Sequence, residues 1–234
     1  MKYLSDPDVK VLLPDGSTRR LMDYLLPSAL LMLAALLLVI SIFLPYWRMT
    51  MFAPQYPKGL QVQVYVNNLQ GDVDEIDALN HYLGMPPLDE GGQLERSVSV
   101  LSITVFGLLL IAAVFVHNQW AGLLALPAVA YPFIFLADLW YILYSYGHSI
   151  DPQSALGGAI DPFTPPLLGE GTIGQFRTLA ELGPGFYLAL AGLVVVLVGL
   201  WFHRAAYKPV VDARRRALAQ PTDNTGRTRL SRTA

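Results

Sequence analysis

The residues best suited to chemistry are three methionines and one histidine in a single polar segment. Met49, Met51, His81 and Met85 lie between two long apolar runs of a chain that has only six methionines and four histidines. Thioether and neutral imidazole groups are soft ligands that favour copper, above all Cu(I). These four residues are therefore a candidate copper site. The alternative is structural, because methionine fills apolar gaps and a histidine near a helix end interacts with the helix dipole.

A second candidate site centres on Asp138, which is the only charged residue inside the apolar runs. A carboxylate within a membrane span is a candidate cation or proton site, since a charge is costly in hydrocarbon. Tyr131, Tyr141 and Ser145 share its helix face and extend this candidate intramembrane polar site. The alternative is a hydrogen bond from a tyrosine, or a bond with a backbone group that a proline of the same helix leaves free.

The remaining histidines have weaker cases. His148 follows the Asp138 helix outward and is a candidate contributor, with His81, to an outer-surface site; alone it would be solvated. His117 and His203 fall at the margins of predicted spans. A haem held by two histidines needs ligands that project into the bundle core, so haem b is not expected.

The elements that must position these residues are four long apolar runs. Hydrophobic residues make up 53% of the 234 positions and charged residues 15%, which is the composition of an integral membrane protein. An α-helix needs about 20 residues to cross about 30 Å of hydrocarbon. The runs therefore predict transmembrane helices at 24–46, 98–116, 120–146 and 186–202. The second and third should form a tight antiparallel hairpin.

Basic residues set the expected orientation. The N-terminal tail (1–23) and the C-terminal tail (203–234) are rich in Lys and Arg, whereas segment 46–96 has three basic and seven acidic residues. Segment 147–185 has one basic residue and four acidic ones. The positive-inside rule then puts both termini in the cytoplasm of a bacterial inner membrane and both long loops outside.

The first outer segment, 47–97, should fold as a strand-strand-helix cap. Residues 48–52 and 60–67 alternate apolar and polar side chains, as half-buried strands do. Residues 72–83 have helical spacing with acids in the first turn, and Gly84 with the prolines after it ends the helix. The fold class is therefore an all-α membrane protein: a four-transmembrane-helix bundle with a small α+β extracytoplasmic cap. The Gly/Pro-rich outer loop, 147–185, is expected to pack across the bundle mouth as a lid.

Several function classes are disfavoured. The chain has no cysteine, which excludes disulfides, thiolate metal sites and iron-sulfur clusters within it. Phosphate-binding loops, zinc-protease motifs and nucleophile elbows are also missing from the sequence. We therefore expect a protein that is not an enzyme. The basic C-terminal tail is interpreted as a lipid contact, with no nucleic acid partner.

The string APQYPKGL (53–60), together with GDVDEIDALNHYLGM (71–85), carries a family resemblance. It resembles an outward loop of a family of multi-pass bacterial membrane proteins associated with nitrous-oxide-reductase and other copper-related respiratory gene clusters. The resemblance extends more loosely to PFTPPLLGEGTIGQF (162–176). It implies an accessory role in maturing or supporting a periplasmic copper enzyme, and it supplies no ligand set.

Three functions follow as hypotheses. The leading one is an accessory protein for a periplasmic or membrane-bound copper-dependent respiratory enzyme, which acts by docking or metal handling through its cap. The second is a small channel, transporter or proton-coupled subunit that uses Asp138. The third is a structural subunit of a larger membrane complex. All three place the chain in the lipid bilayer, and the first and third require a membrane or periplasmic protein partner.

Overall fold

The computed structural model describes residues 10–12, 18–20, 22–118, 120–155, 157–159, 161–173 and 176–219. In chain order the elements are β1 (Lys10–Leu12), β2 (Thr18–Arg20), α1 (Met22–Ser41), β3 (Trp47–Ala53), β4 (Tyr56–Val64), β5 (Leu69–Gly71), α2 (Val73–Leu83), α3 (Gln93–Phe115), α4 (Trp120–His148), β6 (Gly169–Ile173), β7 (Phe176–Leu182) and α5 (Pro184–Ala219). Short 3-10 turns lie at Leu88–Glu90 and Gly157–Ala159.

Within the described ranges, α1, α3, α4 and α5 are the helices long and apolar enough to cross a membrane. Helix α1 packs against both α5 and α3, and α4 packs against α3 and α5. The core between them consists of fully buried aliphatic residues such as Leu31, Ile103, Leu110 and Val196, interspersed with alanines. Small residues let the helices approach closely. The predicted class, a multi-pass helical bundle with a small α+β cap, is compatible with this architecture.

The cap is a five-stranded antiparallel sheet in the order β5-β4-β3-β7-β6. Its centre is β3, which places Met49 opposite Val62 of β4 on one side and opposite Ala180 of β7 on the other. Helix α2 packs on the sheet through the buried side chains of Ile76 and Leu83. The two strands and the helix expected in segment 47–97 are therefore present, with the short strand β5 added.

Segment 147–185, expected as a lid, also contains two strands that the sequence analysis did not predict. Strands β6 and β7 pair antiparallel, and β7 completes the cap sheet next to β3. The segment before β6 lies against the bundle mouth, because the Trp47 indole donates a hydrogen bond of 2.7 Å to the Leu167 carbonyl. Trp47 is accordingly only 3% exposed, although its position at the end of a span predicts an interfacial ring. Both outer segments thus build one cap.

Helix bounds also differ from the predicted spans. Helix α1 ends at Ser41 instead of residue 46, and the chain turns so that the fully buried Tyr46 hydroxyl lies 2.6 Å from the Ser41 hydroxyl. Helix α5 continues through Pro209 to Ala219, whereas the sequence suggests a separate short helix there. The N-terminal tail contains the two-stranded pair β1-β2. Residues 220–234 of the basic tail lie outside the described residues.

The bundle has two distinct ends. The cap end carries Ser41 of α1, the start of α3, the end of α4 and the start of α5. At the opposite end the rings of Tyr24 and Tyr207 pack edge to face with centroids 5.3 Å apart. His117 and His203 stack there at 5.9 Å. The start of α1 and the later half of α5 therefore lie at the end of the bundle away from the cap.

Candidate functional site

A cavity of about 360 Å³ lies between the cap and the bundle, and we call it the junction cavity. Its roof is formed by the sheet and α2, and its walls by the cap-end halves of α3 and α4. Aliphatic, aromatic and thioether groups make up most of the lining. The volume falls in the range of roughly 300–1,000 Å³ that is usual for ligand pockets. This is the main candidate site in the described part of the chain.

Aromatic rings close the cavity at its inner end. The ring centroids of Phe106 and Tyr131 are 6.1 Å apart, and the ring of Tyr46 packs edge to face on Tyr131 at 6.0 Å. From Tyr131 the lining continues along α4 to Tyr146, a distance of roughly 22 Å at 1.5 Å per residue. The cavity is thus a long slot that begins within the bundle and ends beneath the cap.

The slot also opens sideways between α3 and α4. Val98 and Ile134 line it, yet they are 44% and 56% exposed. The surface around them is apolar, with Leu94 and Leu101 about 70% exposed. Because these helices are candidate membrane spans, the side opening faces the zone that lipid would occupy. A molecule dissolved in the bilayer could reach the slot without crossing the cap.

Three methionines of the cap segments, Met49, Met51 and Met85, all line the junction cavity. Met49 and Met51 come from alternate positions of β3, so both point from the sheet toward the bundle. Met51 is 3% exposed, and Met85 packs partly buried against the same apolar cluster. His81 is exposed on α2 and lines a separate surface cleft with Met85 and Asp151. The three methionines of the candidate copper site therefore line one cavity, with Met51 and Met85 in one apolar cluster and Met49 in another, and the histidine lies outside it.

The candidate polar site around Asp138 is only partly assembled. Asp138 and Tyr131 line the junction cavity, whereas Tyr141, which is 63% exposed, and Ser145 do not. His148 does not meet His81 in the surface cleft.

The His148 ring is engaged locally. It stacks on Tyr144 with centroids 4.0 Å apart, and its Nδ1 lies 2.8 Å from the Tyr144 carbonyl oxygen. This position at the last turn of α4 is the ordinary place for a histidine that interacts with the helix end.

The charged groups on the cavity wall are Asp138, Glu95 and Arg96. Among the described residues neither carboxylate has an ion-pair or hydrogen-bond partner; Asp138 is half-buried and Glu95 is exposed. Arg96 forms an ion pair with Asp89 at 3.4 Å and also donates to the Asp89 carbonyl. Its Nε is buried without an acceptor in the described residues. The slot therefore carries both signs of charge, at the edge of an apolar space.

Thr178 of β7 adds a hydroxyl that has no protein partner. The residue lines the cavity, is 1% exposed, and its Oγ1 forms no hydrogen bond within the described residues. Buried polar groups are nearly always paired, so an unpaired hydroxyl on a cavity wall indicates a place where a ligand group can bond.

Several of these residues were not identified from the sequence. Glu95 and Arg96 fall in the segment expected to be cap loop, but α3 begins at Gln93 and carries them into the cavity wall. Tyr146 donates a hydrogen bond to the Pro87 carbonyl and so holds the entry to α3 against α4. A side chain at Gly91 would lie 2.7 Å from the Tyr146 ring, which explains the glycine. Two features of the sequence could have indicated them. Glu95 and Arg96 come directly before the apolar run of α3, and Tyr146 lies at the end of the apolar run of α4.

In the described residues no group of three or more His, Asp or Glu side chains could hold a metal ion, and the soft donors on the cavity wall are the thioethers of Met49, Met51 and Met85. Thioethers suit Cu(I) and not hard cations. Comparisons with protein-family models, curated proteins and solved structures return no significant match.

Proposed function

We propose that the chain is a non-enzymatic, multi-pass protein of the bacterial inner membrane, with both termini in the cytoplasm and the cap outside. The start of α1 and the later half of α5 lie together at the end opposite the cap, as the ring contact between Tyr24 and Tyr207 indicates. The two tails, 1–23 and 203–234, contain 12 of the 16 Lys and Arg residues of the chain, and the cap segments are acidic. The positive-inside rule supports this orientation.

In this proposal the protein supports a copper-dependent respiratory enzyme by holding Cu(I) in the junction cavity. One observation carries the proposal: Met49, Met51 and Met85, which come from a strand and a separate turn, line the same cavity. Thioether sulfur is uncharged and soft, so it binds Cu(I) selectively over harder ions without a charged group in an apolar wall. His81 is not part of this ligand set, because it lies on the exposed side of α2.

The cap would serve as the docking surface for the partner enzyme. Met85 borders both the junction cavity and the surface cleft that contains His81, so it is the ligand nearest to solvent. Copper would be passed on by exchange of thioether ligands, with Met85 released first. This role needs no change in the oxidation state of the metal.

Anaerobic Cu(I) titration of the full chain in detergent, against a chromogenic Cu(I) chelator, tests the proposal. The combined M49L/M51L/M85L variant should bind at least about tenfold more weakly, while leucine preserves apolar volume and thus the fold. M22L/M32L is the matched control, because these methionines are about half exposed on α1. H81A should also bind normally. Unchanged binding by the triple variant would remove the copper role.

A second candidate function is a proton-coupled or ion-conducting subunit in which Asp138 supplies the site. The observation that favours it is that Asp138 lines the slot and has no protein partner in the described residues. Rings at Tyr46, Phe106 and Tyr131 close the inner end of the slot, so conduction would require them to move. In liposomes, D138N should abolish any proton or cation flux that the wild type supports, with E75Q as the control for an exposed acid. Flux that survives D138N would eliminate this candidate.

A further inference from the structure

The junction cavity is much larger than one metal ion needs. The methionines occupy its roof, whereas the long walls of α3 and α4 below them are apolar and reach the side opening at Val98 and Ile134. We propose that this slot binds one phospholipid with an amine head group, of the phosphatidylethanolamine type, which enters from the bilayer between α3 and α4.

The apolar part of the slot suits one acyl chain. Its lining below the charged rim includes Phe106, Ile134, Phe135 and Leu139. A volume of about 360 Å³ cannot take a whole lipid, but the side opening lets the second chain stay in the bilayer. Burial of apolar surface contributes about 25 cal/mol per Å² and is not selective among lipids with the same chains. The head group must therefore provide the specificity.

The rim of the slot matches a head group that carries both charges. The start of α3 lies at the rim, where Gly91 and Gly92 line the cavity and no side chain caps the helix. Free N–H groups at a helix N-terminus attract phosphate. The buried Nε of Arg96, which has no acceptor in the described residues, adds a charged donor beside them. These groups together form the phosphate side of the rim.

Carboxylates supply the complement for the amine. Glu95 and Asp138 both line the slot and have no cationic partner among the described residues. An ammonium group at this rim would donate charge-assisted hydrogen bonds to the half-buried Asp138 and to the exposed Glu95. A quaternary ammonium has no N–H to donate, and a glycerol head has no positive charge. Phosphatidylethanolamine therefore fits better than phosphatidylcholine or phosphatidylglycerol.

Thr178 provides an independent indication of a ligand. Its hydroxyl is buried to 99%, faces the same cavity and has no protein acceptor in the described residues. An ester carbonyl, which lies between the head group and the chain of a phospholipid, is an acceptor of the right kind. The slot thus offers a partner for each chemical part of one lipid molecule.

Native mass spectrometry of the full chain tests the proposal, with a Cu(I) chelator present. The protein is titrated separately with phosphatidylethanolamine, phosphatidylcholine and phosphatidylglycerol that carry identical acyl chains. One phosphatidylethanolamine should bind about tenfold or more tightly than either competitor, as expected for one charge-assisted hydrogen-bonded pair. Equal affinities for the three lipids would mean annular contact and would overturn the proposal.

Variants assign the preference to the slot. E95Q should reduce the advantage of phosphatidylethanolamine over phosphatidylglycerol, and R96Q should weaken both, while the exposed controls E75Q and R48Q change nothing. S102F places a ring in the slot and should block all three lipids, whereas T104F adds the same ring to the exposed face of α3. If S102F and T104F bind equally well, the lipid does not occupy the slot.

The copper proposal and the lipid proposal can fail separately. M49L/M51L/M85L should keep the lipid preference, and E95Q should keep the Cu(I) affinity. If dodecylammonium displaces phosphatidylethanolamine efficiently and R96Q is silent, the site recognises a cation alone and the phospholipid assignment is wrong.

Discussion

Replacement of Thr178 by valine should stabilise the protein. Its hydroxyl is 1% exposed and unpaired in the described residues, and an unsatisfied buried hydroxyl costs about 1–3 kcal/mol. Because the group borders a cavity and is not packed on all sides, we take the lower end, about 1 kcal/mol. Valine is also β-branched and suits the strand β7. For a chain of this size the gain corresponds to a rise of roughly 2–4 °C in the midpoint of thermal unfolding.

The matched variant is S41A, which should destabilise the protein where T178V stabilises it. Ser41 is fully buried like Thr178, but its hydroxyl donates to the Leu38 carbonyl at 2.6 Å and pairs with the Tyr46 hydroxyl. Its removal should cost about 1–2 kcal/mol. Both variants are compared by thermal unfolding of lipid-depleted protein in one detergent. A loss of stability in T178V as large as that in S41A would show that Thr178 already has a partner, and the argument from its unpaired hydroxyl would fail.

Three further predictions concern the junction between cap and bundle. G84A should lower the free energy of unfolding by about 1–2 kcal/mol, because Gly84 has a φ of +77° and an added Cβ would lie 2.3 Å from the Ser154 hydroxyl. G122A is the control, because an added Cβ meets no atom there. Equal effects of the two variants in thermal unfolding would contradict the prediction. Y146F should lower the free energy of unfolding by about 1 kcal/mol and should speed hydrogen exchange around residues 87–92, because the Pro87 carbonyl loses its donor. Unchanged exchange there would show that the hydrogen bond from Tyr146 does not hold this segment. With Trp120, Trp140 and Trp201 replaced by phenylalanine, the buried Trp47 should give blue-shifted emission that acrylamide quenches weakly, and emission typical of exposed indole would contradict its burial.

The spans were predictable because burial in a membrane imposes a simple requirement on the sequence. A run of about 20 apolar residues without charges is a strong pattern, and all four runs are helices. The residues at which the helices end were less predictable. Tyr46 continues the first apolar run, but the helix stops at Ser41 and the tyrosine folds back to bond with it.

The strand pair β6-β7 was missed because its surroundings are rich in glycine and proline. The strand β7 does show alternation, with Phe176, Thr178 and Ala180 buried and their neighbours more exposed. A period of two over seven residues was present in FRTLAEL, but the composition of the longer loop masked it. The pairing of β7 with β3 is a contact between distant parts of the chain, which local patterns do not specify.

The positions of the candidate copper ligands in the fold were partly predictable from local sequence patterns. Alternation placed Met49 and Met51 on one face of a strand, and both line the cavity. His81 and Met85 are four residues apart and would share a face if the helix continued between them. The helix ends at Leu83, and Gly84 reverses the chain direction with its positive φ, so Met85 turns into the cavity and His81 stays outside. The helix end thus lets Met85 reach the junction cavity, whereas His81 lines only the surface cleft that the two residues share.

X-ray absorption at the copper edge of Cu(I)-loaded protein tests the copper proposal most directly. The account predicts a first shell of sulfur alone, from Met49, Met51 and Met85, that is unchanged in H81A. The spectrum should lose this sulfur shell in M49L/M51L/M85L. Scattering from an imidazole ring, or a sulfur shell that survives in the triple variant, would contradict the account.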